Sequence, residues 1–272
     1  MNNSRGDGSA RVRRLLLADD NSGEGASLSA RIFNAILVAA GLTALFYVAF
    51  RNVDYHWSWD SAWRYRQKFL TGWVSTILIS AAALVCSTLI GTVAALARRS
   101  RILLCRYVGA TYVEIIRCTP LLVQILIFWY VLANAANLQN RYVAGVLILS
   151  AFAGAYISEI IRAGIESVPE SQLESARAIG LTPPQIYRYV IFPQATRQML
   201  PPLTGQFVSL VKDSSLLSVI AINELTKSAQ ELNANAHTSF EGYLPLAVAY
   251  LTITFPLSMW TRSLEKKFLY ET

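Results

Sequence analysis

Long apolar runs alternate with short polar segments along most of the chain. An α-helix needs about 20 residues, rising about 1.5 Å each, to cross a hydrocarbon core about 30 Å thick. Five runs have roughly this length: residues 32–50, 71–97, 143–161, 201–223 and 243–260. Their pattern predicts an all-α integral membrane protein.

A further span is interrupted at its start. An interfacial helix is predicted to begin near Ile102, to enter the bilayer near Pro120 and to run through Leu132. Proline lacks a backbone donor and clashes with the preceding turn, so Pro120 should kink this helix. The Thr119 hydroxyl can bond a carbonyl that the kink frees. In total, about six transmembrane helices are expected.

Polar residues divide the chain into four predicted regions. Residues 1–30 are rich in Ser, Gly and Arg, which is typical of a disordered leader. Residues 31–70 hold an extra first transmembrane helix with an external loop, residues 71–265 the main transmembrane domain, and residues 266–272 a tail. Within the main domain, residues 166–197 are the only long polar insertion between predicted spans, and their pattern is helical.

The composition also indicates a lipid environment. The chain is 54% hydrophobic and only 15% charged, against about 45–50% and about 25% in soluble domains. A formal net charge of +7 would also suit nucleic acid, but the basic residues lie at the ends of apolar segments, where they orient a membrane protein. The densest basic loop, residues 98–106, is assigned to the cytoplasm. Both termini are then cytoplasmic, and no nucleic acid is expected as a partner.

The sequence offers no support for metal or nucleophilic chemistry. Cys86, Cys105 and Cys118 lie in or beside apolar stretches without a CxxC pair, as small buried hydrophobic residues do. His56 and His237 lie in separate polar loops, and neither has a second ligand at helical spacing. No metal site and no catalytic residue are predicted.

Four ionisable residues are predicted at membrane depth, where each needs a partner or a role. Glu159 and Arg162 are three residues apart on one helix and can face each other. Lys212 and Asp213 are adjacent and point about 100° apart, so each needs a partner elsewhere.

The polar insertion contains four residues at characteristic spacings: Glu174, Ala176, Gly180 and Pro193. With these residues it resembles the EAA loop of ATP-binding-cassette (ABC) importer permeases, whose motif reads Glu-Ala-Ala, three residues, Gly, nine residues, then Ile-x-Leu-Pro. The four positions match that motif in register. Three others carry mild departures from Ala, Ile and Leu: Ser175, Val190 and Phe192. Gly180 permits a break before a second helix that begins at Thr182 with Pro183 at its first position.

Three more stretches are similar to the polar amino acid branch of these permeases. Residues 117–124 read Arg-Cys-Thr-Pro-Leu-Leu-Val-Gln, where Cys118 stands in place of the usual Gly. Residues 155–165 and 209–217 agree as well. The resemblance covers about residues 71–264 and leaves the leader and the first span outside it.

By resemblance, the fold is a type I ABC importer permease bundle, a five-helix core here preceded by one extra N-terminal helix. The chain is then a multi-pass protein of the bacterial inner membrane that takes up amino acids by alternating access. The implied partners are a cytoplasmic ABC ATPase dimer, a second permease subunit, identical or homologous, and a periplasmic amino-acid-binding protein, with membrane lipid around them.

The resemblance also implies that the chain is not itself an enzyme. No Gly-x-x-x-x-Gly-Lys-Ser/Thr phosphate-binding motif occurs in the sequence. The chain therefore has no cofactor of its own, and the partner ATPase binds ATP and Mg²⁺.

These expectations assign roles to residues. Coupling to the ATPase is predicted for four residues: Glu174, Ala176, Gly180 and Pro193. The substrate pathway is predicted to include four others: Glu159, Gln124, Thr119 and Ser214. Glu159 is the candidate for meeting an ammonium group, while Lys212 and Asp213 are expected to brace the bundle near a two-fold axis. Arg162, Lys212 and Asp213 are the predicted members of intramembrane ion pairs.

Three rival interpretations make different predictions. An ion-coupled secondary transporter or channel would accommodate the charged fifth span, but it leaves the frame from Glu174 to Pro193 unexplained. A membrane-embedded enzyme should carry a metal cluster or an activated nucleophile. A third alternative is a permease subunit that uses the same loop to export a substrate. The resemblance of residues 117–124 to importers of polar amino acids argues against it.

Overall fold

The structure, a computed structural model, describes residues 28–51, 55 and 57–269, and its elements there are helices. It divides into two compact units, residues 1–56 and 57–272. The predicted leader up to residue 27 lies outside the described residues. Its last three positions already belong to the first helix.

The first unit contains α1, Leu28–Arg51. Its segment Leu28–Val48 is long and apolar enough to cross a membrane, as predicted. Apolar side chains such as Leu37 and Leu45 are exposed along it, which is expected where lipid replaces water as the solvent.

Ten α-helices lie in the described residues of the second unit. They are α2 Trp59–Arg64, α3 Arg66–Arg98, α4 Leu103–Cys118, α5 Leu121–Ile127, α6 Arg141–Glu166, α7 Glu170–Ala178, α8 Pro183–Ile186, α9 Phe192–Asp213, α10 Leu225–Ala236 and α11 Ser239–Leu269. Single π-helical turns extend α5 over Phe128–Ala133 and α8 over Tyr187–Ile191, and a 3₁₀ segment, Ser214–Ile220, follows α9.

The number of spans agrees with the expected six. Four helices of the described chain pass the length and composition test by themselves, namely α1, α3, α6 and α11. The number rises to six if each of two bent pairs is counted as one span: α4 with α5, which meet at 110°, and the segment Pro183–Ile220 with α10, which meet at 44°. The predicted kink at Pro120 is thus confirmed as a sharp elbow.

Small residues hold the bundle centre together. A Cβ atom on Gly91 of α3 would lie 2.6 Å from Cγ2 of Ile157 on α6, and one on Gly154 would lie 2.9 Å from Cγ2 of Ile90. Glycines let two helix backbones approach closely where lipid provides little driving force for association. The surrounding core joins α3, α5, α6, α9 and the 3₁₀ segment: Ile79, Ala83, Leu121, Ile125, Ile148, Leu149, Ala153, Leu210, Leu217, Ile220 and Ile222.

Several helices extend beyond the apolar runs predicted as spans. α3 begins at Arg66, before the predicted start of the span at Thr71, and residues 57–70 belong to the second compact unit. α9 begins at Phe192, inside the predicted polar loop. In each case the hydrogen-bonded helix continues past the apolar run, because backbone pairing does not require apolar side chains.

Two helices were missed, and one helix was expected to be shorter. The stretches that form α2 and α10 were interpreted as loops, and α11 begins four residues before the predicted start at Tyr243. α11 also continues through Leu269, into the predicted tail. Short amphipathic helices such as α10 depend on the bundle for stability, so their sequence signal is weak.

Candidate functional site

The polar insertion folds into a compact helical hairpin that begins where α6 ends. Its first arm is α7, and the turn that follows contains Gly180 at φ +85°, a left-handed conformation that favours glycine. The second arm starts with a capping box in which Thr182 and Gln185 exchange hydrogen bonds, with Pro183 at the first helical position. The predicted break and second helix are confirmed.

The hairpin has its own apolar core. Val168, Ala176, Ile186, Ile191 and Ala195 are buried together there. Ala176, one of the residues predicted to couple to the ATPase, is only 4% exposed and lies inside the hairpin. Its size allows α7 to lie close to the second arm.

The outward surface of the hairpin carries the remaining residues of the motif. Glu174 and Pro193 are exposed, and the side chain of Ile179, next to the turn, is 77% exposed. Phe192 is also exposed. An apolar tip flanked by a carboxylate is a surface that a second protein can cover, because large exposed apolar groups mark contact sites.

Close packing connects this coupling hairpin to the bundle. A Cβ on Gly164, in the last turns of α6, would collide with Cγ of Met199 and lie 3.1 Å from the carbonyl oxygen of Ala195. The Arg99 guanidinium, just after α3, donates to the Tyr187 hydroxyl at 3.1 Å. The hairpin is thus in contact with the ends of α6, α9 and α3.

A charged cluster lies at the same end of the bundle. Both Glu159 carboxylate oxygens are engaged: Oε1 accepts from Arg98, and Oε2 accepts from Nη2 of Arg162 at 2.7 Å. Arg117 lies 3.7 Å from Oε1, and Arg162 also donates to Glu166. The predicted facing of Glu159 and Arg162 is confirmed, and Arg98 is a partner that sequence reasoning missed.

The other predicted pathway residues have local partners. Gln124 Nε2 donates to the carbonyls of Ile116 and Thr119 at 2.7 and 2.9 Å, across the elbow. The Thr119 hydroxyl donates to the Ile115 carbonyl, as expected at a kink. Ser214 is fully buried and donates to the Val211 carbonyl. Contact of these three residues with substrate stays a prediction.

Lys212 and Asp213 end α9 at the level of the bundle core. Lys212 is exposed and Asp213 is half-buried. Within the part of the chain that the structure describes, neither side chain has a salt bridge or a hydrogen bond. The ion pairs predicted for them therefore do not form inside the described subunit.

The end of the bundle away from the hairpin holds a polar site that the sequence analysis missed. The fully buried Glu224 carboxylate accepts from the backbone N–H groups of Thr226 and Lys227 and from the Tyr250 hydroxyl at 2.9 Å. It caps α10, while the backbone N–H of Leu225 donates to Thr76 of α3. The sequence signal that could have identified this cap is a carboxylate directly before an amphipathic stretch.

The comparisons with known proteins agree with this architecture. Residues 87–270 match the family described as binding-protein-dependent transport system inner membrane component. Because the match spans more than half of the sequence, the chain belongs to this family of transport-system membrane components.

Individual relatives narrow the class further. The chain is 37% identical over 199 residues to the probable glutamine ABC transporter permease protein GlnM of Bacillus subtilis, covering 73% of this chain and 92% of that protein. It is 35% identical to the glutamine transport system permease protein GlnP of Escherichia coli, with coverage of 77% and 96%. The L-cystine transport system permease protein TcyB of Bacillus subtilis is 37% identical, with coverage of 77% and 90%.

Solved structures support the same fold. The crystal structure of an amino acid ABC transporter with histidines superposes with a TM-score of 0.73 at 34% identity, covering 78% of this chain and all of that chain. The inward-facing MetNI methionine ABC transporter, at 19% identity and a TM-score of 0.59, shares the fold. The fold and the family together define a multi-pass type I ABC importer permease, and they do not favour an ion-coupled transporter.

Proposed function

We propose that this permease imports polar amino acids across a bacterial inner membrane, with both termini in the cytoplasm. The observation that carries the proposal is the coupling hairpin, a folded helical unit with an exposed tip at the end of a membrane bundle. The amino acid class rests on relatives named for glutamine and cystine.

The proposed partners follow from this role. A cytoplasmic ATPase dimer, which binds ATP and Mg²⁺, receives the hairpin; an external amino-acid-binding protein delivers the substrate; and a second permease subunit completes the pathway. Glu174, Gly180 and Pro193 are proposed to form the coupling surface. Ala176 acts with them from inside the hairpin, by letting α7 lie close to the second arm.

The proposed mechanism is alternating access. Closure of the ATPase dimer moves the hairpins, and the tight contact of Gly164 with Met199 passes that movement into α6 and α9. A packed contact of this kind transmits displacement because protein interiors are dense and deform little. The charged cluster around Glu159 lies next to this contact and rearranges with it.

The pathway residues remain part of the proposal. Glu159, Gln124, Thr119 and Ser214 are proposed to approach the substrate in a conformation that frees them from their local partners. For Glu159, this requires release from Arg98 or Arg162. An ammonium group can then replace a guanidinium at the carboxylate, since both are cations that donate hydrogen bonds.

Reconstitution with a candidate ATPase tests the function. Wild type and two hairpin variants, Gly180→Asp and Glu174→Lys, are compared for ATPase binding, ATP hydrolysis and uptake of labelled glutamine or cystine. Gly180→Asp should be the more severe variant, because an L-residue at φ +85° is strained. Both variants should lose ATPase binding and uptake together.

Asp60→Lys provides the matched control. It makes the same change of charge as Glu174→Lys at an exposed position on α2, at the other end of the bundle from the hairpin. It should leave ATPase binding unchanged. Uptake that continues without any ATPase and is insensitive to both hairpin variants would refute the proposal.

A further inference from the structure

An apolar groove lies at the end of the bundle away from the hairpin, between α2, α3 and α11. Its volume is about 850 Å³, which is within the range of small-molecule sites. Each of the three helices contributes a pair of apolar side chains to its walls: Trp59 and Trp63, Phe69 and Trp73, and Pro245 and Ala249. Two charged residues, Asp60 and Arg66, also line it. The groove therefore combines a large apolar volume with one charge of each sign.

The groove begins at the depth of a membrane interface. Trp57 and Trp59 stack at its mouth with ring centroids 5.9 Å apart, and Trp63 is 69% exposed. Tryptophan is enriched where lipid headgroups meet the hydrocarbon core. From Arg66 to Trp73, seven residues of α3 rise about 10 Å along the helix axis. The groove thus extends from the headgroup level into the hydrocarbon region.

The apolar walls alone do not select an occupant. Leu70, which also lines the groove, is 62% exposed, and an apolar surface of this kind in a membrane is covered by lipid chains or by another helix. Moving an acyl chain from the bilayer into the groove gains little, because lipid tails are as apolar as the groove itself. The charged residues must therefore determine which molecule is preferred.

The two charged side chains are placed to act on one ligand. Asp60 is exposed in the first turn of α2, and Arg66 is the first residue of α3. Arg66 Nη1 donates to the Trp63 carbonyl at 2.9 Å, and its Cζ lies 4.8 Å from the centroid of the Trp63 ring. Among the described residues, neither Asp60 nor Arg66 takes part in a salt bridge. A ligand can therefore bind an oriented guanidinium and a nearby carboxylate together.

A phospholipid with an ammonium group matches this pair of charges. The guanidinium is suited to a phosphate, and a carboxylate accepts hydrogen bonds from a primary ammonium. In an ethanolamine headgroup these two groups are only two carbons apart. A headgroup with a net negative charge would instead meet Asp60 with like charge. A choline headgroup has no N–H to donate, and the face of Trp63 that could bind it is already covered by Arg66.

We propose that this groove binds a phospholipid whose headgroup carries a phosphate and a primary ammonium. Arg66 binds the phosphate, Asp60 accepts from the ammonium, and one acyl chain lies between α3 and α11. The groove selects this lipid from the leaflet opposite the coupling hairpin. The inference does not depend on the proposed function, because it uses neither the hairpin nor an ATPase.

Native mass spectrometry of the full-length protein tests the headgroup preference. The protein is offered phosphatidylethanolamine, phosphatidylglycerol and phosphatidylcholine with identical acyl chains in equal amounts. Wild type should retain phosphatidylethanolamine about tenfold over each of the others, the effect of one charge-assisted hydrogen bond. Asp60→Asn should abolish this preference. Arg66→Gln should weaken the retention of all three lipids, because they share the phosphate. Equal retention of the three lipids by wild type overturns the proposal.

A matched pair of tryptophan substitutions on α11 tests the location. Ala249→Trp fills the groove and should lose the bound phosphatidylethanolamine. Ala247→Trp adds the same side chain at an exposed position about 200° around the helix, so it should retain the lipid as wild type does. Gel filtration and circular dichroism show whether both variants are folded. Retention by a folded Ala249→Trp equal to that of Ala247→Trp overturns the proposal.

Tryptophan fluorescence of the wild type decides the question if the variants do not fold. The protein is placed in phosphatidylcholine vesicles that contain a small fraction of phosphatidylethanolamine with brominated acyl chains, which quench tryptophans that they contact. Because Trp59, Trp63 and Trp73 line the groove, this lipid should quench more strongly than an equal fraction of brominated phosphatidylglycerol. Equal quenching by the two lipids overturns the proposal, and it is the result expected if another helix fills the groove.

Discussion

The two ends of the bundle connect their helices through different polar chemistry. At the hairpin end, Glu159 is held by Arg98 and Arg162, whose side chains are 19% and 34% exposed. At the other end, Glu224 is fully buried and accepts only from neutral donors, among them the Tyr250 hydroxyl. One end uses ion pairs between partly exposed side chains, and the other uses a buried network of hydrogen bonds.

This difference indicates which end can rearrange. A carboxylate with several cationic neighbours can exchange one guanidinium for another, because Arg98, Arg117 and Arg162 all lie within 4 Å of Glu159. A buried carboxylate that loses its donors has no substitute, so breaking that network costs its full desolvation. The hairpin end is therefore suited to move with an ATPase, while the Glu224 end is suited to stay closed around α3, α10 and α11.

The largest expected effect is at the buried end. Glu224→Ala removes the cap of α10 and leaves the Tyr250 hydroxyl and two backbone N–H groups without their acceptor. We expect a loss of about 2–4 kcal/mol in the free energy of unfolding. Denaturant titration in detergent measures it. Glu224→Gln, which keeps an acceptor oxygen, should lose less, and equal losses for the two variants would show that the cap is unimportant.

Glu159→Gln should have a smaller effect on stability and a clear effect on transport. It removes one negative charge from between Arg98 and Arg162, both only partly buried, and should cost about 1–3 kcal/mol. Uptake kinetics then separate two roles. A raised KM with unchanged kcat indicates contact with substrate, and a lowered kcat indicates a role in rearrangement. Unchanged uptake and ATPase rates would exclude both.

Gly164→Ala tests whether the hairpin is rigidly connected to the bundle. The added methyl group collides with Met199 and should cost about 1–3 kcal/mol. ATP hydrolysis should persist while uptake falls. Gly205→Ala on α9 is the control, because a Cβ there has no atom within 4 Å and should be neutral or slightly stabilising. Normal uptake by Gly164→Ala would contradict transmission through this contact.

The smallest effect is expected for the exposed pair at the end opposite the hairpin. Lys68 donates to Glu231, and their side chains are 55% and 30% exposed. Glu231→Gln should change the free energy of unfolding by about 0–1 kcal/mol, because water screens such pairs. If Glu231→Gln lowered the free energy of unfolding as much as Glu224→Ala, burial would not explain the difference between these two carboxylates. The contrast drawn between exposed and buried polar groups would then be wrong.

Much of the fold was predictable because its causes are local. Apolar run length places the spans, Pro120 predicts the elbow, and a glycine before Thr182 predicts the turn of the hairpin. Each of these features depends on residues within a few positions of one another. The motif from Glu174 to Pro193 could be recognised for the same reason.

Other features depend on which distant segments become neighbours. Sequence spacing pairs Glu159 with Arg162 on one helix turn, but only the packing of α3 against α6 adds Arg98. Similarly, Ala176 is buried because the second arm of the hairpin packs against α7, and this contact cannot be predicted from the sequence of α7 alone.

The sequence by itself therefore determined the membrane spans, the helix breaks and the coupling motif, since backbone sterics and hydrophobic periodicity act over short distances. Only the tertiary structure decided which charged groups are satisfied. It buries Glu224 under Tyr250 and leaves Lys212 exposed near the end of α9. Burial and pairing are properties of contacts between helices far apart in the chain, and periodicity along one helix carries no information about them.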